Sequence, residues 1–194
     1  MKTDVLVRNT NLLSHSLDIV RIILVLLSAQ LTTVGGETVF APATSDFAVT
    51  FSAQPTVEEF DFVTTDGVAL KGTRAELRAT DSFQRVEVVP MPRGFGEKET
   101  RESGISKLRD YAKHNGLTAP EFKWESTTLG RKASVRGTKI LEDGAKQRAV
   151  TFEAVFYYGD TSLACLYVGG PSESYPPTRV IKFLNSVTKN SKKK

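Results

Sequence analysis

The run Leu163-Ala164-Cys165-Leu166-Tyr167-Val168 is apolar at both parities and is closed by Gly169-Gly170-Pro171. A strand with one wet face alternates polar and apolar residues, so a strand without alternation must be covered on both faces. Its sheet therefore needs two covering layers. The neighbouring segments do alternate. Phe47, Val49 and Phe51 interleave with Ala48 and Thr50, and similar strands are expected over 57–63, 68–79, 83–89, 122–129, 131–141 and 146–158. Asp66-Gly67, Asp143-Gly144 and Gly159-Asp160 supply tight turns, which make consecutive strands antiparallel. Two stretches switch to helical spacing. Ile105, Leu108 and Ala112, with Tyr111 beside them, form one stripe of a helix over 98–114 that Asn115-Gly116 stops. Val180, Phe183, Leu184 and Val187 form the stripe of a second helix over 177–188. One helix per face gives the expected fold class, α+β, as a three-layer α/β/α sandwich around a mostly antiparallel sheet.

The segment before this domain has a different character. Arg21 leads into Ile22-Ile23-Leu24-Val25-Leu26-Leu27, and small residues follow at Ser28, Ala29, Gly35 and Gly36. Basic flank, short apolar run and small-residue exit describe an export signal, and the run is short for a bilayer span of about 20 residues. Residues 1–36 are thus expected to be a signal peptide or signal-anchor containing a hydrophobic helix. Cleavage is possible after Ala29, Gly36 or Ala43, with Gly36 favoured. Residues 37–45, with Pro42 among small residues, are expected to be a linker. Residues 46–188 form the single domain, and 189–194 a basic disordered tail. The net charge of +4 divides accordingly: the leader carries +1 and the tail +4, leaving −1 on the domain. A single cysteine, Cys165, excludes an intramolecular disulfide and, so far from the leader, a lipid-attachment cysteine.

The order of elements resembles PsbP-like domains. The resemblance rests on Asp46-Phe47-Ala48-Val49-Thr50-Phe51 with Gln54-Pro55, on Gly130 and the following hairpin, on Tyr157-Tyr158, and on the closing stretch Arg179–Ser186. Ser52 stands where such domains commonly place a proline. The resemblance covers roughly residues 46–187 and implies a non-catalytic binding or accessory module beyond a membrane. It implies no site residues.

Chemistry-bearing residues are sparse. His15 lies in the leader and His114 at a helix end, where a cation is favourable without further function. Cys165 sits in the central strand and reads as a small buried residue rather than a nucleophile. Glu58, Glu59 and Asp61 are split by alternation between two faces. Gly94-Phe95-Gly96 precedes a helix but lacks the Gly-Lys-Ser/Thr ending of a phosphate loop. The strongest surface feature is the row Arg74, Arg78 and Arg85, interleaved with Glu76 and Glu87. It is the candidate ligand-binding face for a small anion, or else a salt-bridged surface. No catalytic residue, metal site or cofactor is expected, and no basic stripe with stacked aromatics points to nucleic acid.

These observations lead to an exported, periplasmic or extracellular, non-catalytic binding or accessory module. Its expected partner is a small anionic ligand or an envelope protein. Two alternatives stand beside it. One is an outward-facing envelope protein touching the membrane only through an uncleaved N-terminal segment, and the other an enzyme whose site the sequence hides.

Overall fold

The computed structural model describes residues 29–64, 67–80, 82–143 and 146–191. The fold is α+β and mostly antiparallel sheet. A large sheet holds seven strands, β4 (Thr56–Val63), β5 (Ala69–Arg78), β6 (Phe83–Pro90), β7 (Thr118–Thr127), β8 (Gly130–Asp143), β9 (Lys146–Tyr158) and β10 (Ser162–Pro171). Their spatial order is β4-β5-β6-β10-β9-β8-β7. The doubly apolar segment is β10, the middle strand, paired with β6 and β9. Between β6 and β7 lie a short helix α1 (Phe95–Lys98) and the longer α2 (Arg101–His114). Helix α3 (Thr178–Asn185) follows β10.

Both faces of β10 are covered, as its composition requires. On one face Leu108 and Ala112 of α2 pack on Ala133, Val135, Ala154, Phe156, Tyr158, Leu163 and Cys165. Thr100 starts α2 by accepting the Ser103 amide at 3.2 Å, and Gly116, at φ +64°, ends it in the left-handed region. The other face carries Val86, Val88, Val155, Ala164, Leu166 and Val168, which meet Val180 and Phe183 of α3.

Helix α3 does not cover that face alone. A second sheet, ordered β1-β2-β3-β11, lies beside it. Its strands are β1 (Ala29–Val34), β2 (Glu37–Pro42), β3 (Phe47–Phe51) and β11 (Thr188–Lys189). Phe40, Phe47, Val49 and Phe51 from β2 and β3 belong to the core that holds Val180 and Phe183. Three expectations change here. Residues 37–45 are not a linker: Thr38 and Phe40 are fully buried in β2, because Thr38, Phe40 and Pro42 alternate inward. Gly35-Gly36, expected at a processing exit, forms the two-residue turn of a β1–β2 hairpin, with φ +59° and +85°. The basic tail does not begin at 189: Lys189 pairs with Phe47 in β11, and Asn190 donates its Nδ2 to the carbonyls of Pro42 and Ser45 at 3.0 and 3.1 Å. The hydrophobic leader helix falls on 1–28, outside the described residues. Among the described residues no helix is long and apolar enough to cross a bilayer.

Asp46, at the start of β3, joins the two sheets. Its carboxylate accepts the Thr161 amide at 2.7 Å, the Thr161 hydroxyl at 3.1 Å and the Ser162 hydroxyl at 3.0 Å. Thr161 lies in the turn between β9 and β10, and Ser162 opens β10.

Candidate ligand cleft

Helix α2 covers only part of its face of the large sheet. It packs over β7, β8 and β9 and reaches β10, and its C-terminal end leaves the β5–β6 side open. At that border lies a cleft of about 900 Å³. Its floor follows from register. Arg78 stands opposite Phe83, Phe83 opposite Gly169, and Gly169 opposite Phe152. The adjacent row runs from Glu76 through Arg85 to Tyr167. Tyr111, His114 and Asn115 from the end of α2 form one wall, and Leu141, Glu142 and Arg148 of the β8–β9 hairpin form the far rim.

The floor is aromatic and close-packed. The Phe83 and Phe152 rings lie 5.8 Å apart, and Tyr111 stacks on Tyr167 at 5.5 Å. Gly169 permits the first contact, because a Cβ there would sit 2.5 Å from the Phe83 ring. Ser82 lines the cleft, is 9% exposed, and its hydroxyl has no hydrogen-bond partner among the described residues. Burial pushes the Tyr111 hydroxyl up to about 12, against the pull of the Arg85 charge.

Of the three arginines singled out in the sequence, two meet in this cleft. Arg85 lies in the floor between two carboxylates, with Glu76 at 2.5 Å and Glu87 at 3.8 Å. Arg78 lies at the rim, shares Glu76 with Arg85, and leaves 77% of its side chain exposed. Burial alone would raise the Glu76 carboxyl, but hydrogen bonds and charge from Arg78 and Arg85 outweigh it and hold it below the usual range. Arg74 is elsewhere. It pairs with Glu87 at 2.8 Å and Glu58 at 3.0 Å and lies over the Phe60 ring, outside the cleft lining.

The other candidates resolve plainly. The Gly94-Phe95-Gly96 amides are already engaged: Gly94 donates to Asp160 Oδ1 at 2.8 Å, Phe95 to the Asp160 carbonyl at 3.2 Å and Gly96 to the Gly159 carbonyl at 2.9 Å. That loop does not border the cleft. Cys165 is 6% exposed, and burial, aided by the Glu87 charge, pushes its thiol up to about 12. A thiol so placed is a poor nucleophile. Among the described residues no three His, Cys, Asp or Glu side chains converge as metal ligands.

The residues that sequence reasoning missed are Ser82, Phe83, Tyr111, Arg148, Phe152 and Tyr167. They come together only through strand register. One signal was present: Gly169-Gly170-Pro171, which continues β10 rather than ending it and contributes to the cleft lining.

No family model matches the sequence, and no curated protein matches it. Among solved structures, the chain is similar to a crystal structure from Bacteroides thetaiotaomicron VPI-5482 at 1.50 Å resolution, with 9% identity and a TM-score of 0.42. The likeness covers 80% of this chain and 48% of that one, so this chain spans about half its length.

Proposed function

We propose that this chain is an exported, non-catalytic binding or accessory module that holds a small anionic ligand in the cleft beside α2. The observation that carries the reading is the cleft itself: an aromatic floor with a few convergent polar groups, the usual make-up of a small-molecule site. Glu76 and Glu87 are committed to arginines, so the floor carboxylates are poorly placed to accept protons from a substrate. Arg78 at one rim and Arg148 at the other supply positive charge facing solvent, and the Ser82 hydroxyl supplies a donor. The layering of PsbP-like α/β/α domains belongs to the same proposal, supported by α2 and α3 lying on opposite faces of the large sheet. For export, cleavage after Ala29 is favoured over Gly36 or Ala43, since it alone leaves β2 and nearly all of β1 in the mature chain.

The test compares two fluorescent probes of similar shape, anilinonaphthalene sulfonate and its uncharged analogue N-phenylnaphthylamine. The anionic probe is expected to bind the native protein more tightly, and Arg78→Ala to weaken it about five-fold. Thr80→Trp, which crowds the rim, should reduce binding of both. Failure of both probes to bind, or indifference to Thr80→Trp, would overturn the cleft as the site. Equal binding of the two probes would overturn the anionic ligand.

A further inference from the structure

The large sheet has two edges, and they are built differently. At β7, Pro120 lacks an amide hydrogen, Ala119 sits at φ +47°, and the register with β8 slips between Thr118 and Glu121. These are devices that spoil an edge for further pairing. The β4 edge has none of them. It contains no proline or glycine and pairs with β5 without interruption, from Thr56 opposite Glu76 to Val63 opposite Ala69. Eight residues make roughly 26 Å of straight edge. Among the described residues no strand pairs with its outer side.

The side chains of β4 define what would fit. Val57, Glu59, Asp61 and Val63 project to one face, and Glu58, Phe60 and Phe62 to the other. Val63 is 63% exposed. The cations that meet these acids, Arg74 for Glu58 and Lys71 for Asp61, stand inboard on β5. The carboxylates keep large exposed fractions, 57% for Glu58 and 75% for Asp61. A second copy is a poor occupant. Antiparallel self-pairing centred near Phe60 sets Glu59 against Asp61, or Glu58 against Asp61, and directly opposed like charges destabilise a sheet.

We propose that the free edge of β4 captures an extended basic segment of another protein as an eighth strand. Main-chain hydrogen bonds supply the affinity, while lysines or arginines opposite Glu58, Glu59 and Asp61 select the partner. This surface is separate from the cleft.

The experiment offers the full chain an eight-residue peptide alternating lysine with valine or threonine, and a counterpart with glutamate for lysine. Binding is followed by fluorescence anisotropy and by hydrogen exchange at the β4 amides. The lysine peptide is expected to slow exchange at alternate β4 amides and to bind about ten-fold more tightly than the glutamate peptide. Glu59→Lys with Asp61→Lys should reverse that preference. If that variant does not fold, Glu59→Gln with Asp61→Asn should abolish the preference. No slowing with either peptide would overturn the proposal, as would equal slowing with both. Protection of the outward-pointing β4 amides, those not bonded to β5, already present in the free protein would also overturn it, assigning the edge to another part of this chain or, if it rises with concentration, to a second copy.

Discussion

The α2-facing side of the large sheet is two surfaces in one. Along a single cross-strand row, Glu76, Arg85, Tyr167, Ala154 and Val135 follow one another from β5 to β8. Beneath α2, Ala154 and Val135 are fully buried. Beyond its reach, the same row carries an ion pair, and Tyr167 marks the border. A helix excludes water, so the positions beneath it must be apolar, while open positions can keep charges that solvent and partners satisfy together. The cleft lies where the two regimes meet, and that is why aromatic and charged groups share it.

The comparison breaks most severely if a charge is placed under the helix. Ala154→Arg should cost roughly 4 kcal/mol or more, since a buried unpaired cation is among the few substitutions of that size. Circular dichroism and soluble yield would show loss of the fold. Next, Leu108→Ala empties the helix side of the same interface and should cost about 2–5 kcal/mol, read as a lower urea midpoint. Arg85→Ala, on the open side, leaves the partly buried Glu76 short of a donor and removes a charge near Glu87, and should cost about 1–2 kcal/mol in the same assay. An Arg85 loss equal to that of Leu108 would erase the distinction between the halves.

The smallest effect is acid-linked. Glu76 is held below the ordinary carboxylate value of 4.5, so the unfolded chain takes up the proton first as pH falls. The stability it contributes is fully present above that value and is lost as pH drops through the lower folded one. Urea midpoints measured from neutral to acid pH should decline in that window, and Arg78→Ala should flatten the decline.

The strand meander, α2 and α3 were legible because each carries its own periodicity. The central place of β10 was legible from six residues. The β1–β2 hairpin was not, because Gly35-Gly36 reads equally as a turn and as a processing exit, and the apolar run before it favours the latter. Reading residues 37–45 as a linker also hid the second sheet, since without β2 the strand Phe47–Phe51 has no visible partner. Arg78 and Arg85 were legible as an outward row, and their neighbouring glutamates as the neutralising partners. Their meeting with Tyr111 and Phe152 was not, because no local pattern encodes register between strands so distant in sequence.

Asp46 gives the molecule a mechanical property. One short side chain at the first residue before β3 grips the connection between β9 and β10, more than a hundred residues away in sequence. A pull applied through β2 and β3 would reach β9 and β10 through that carboxylate as well as through the shared core. The small sheet is riveted to its neighbour at a fixed point, and the two bear load together.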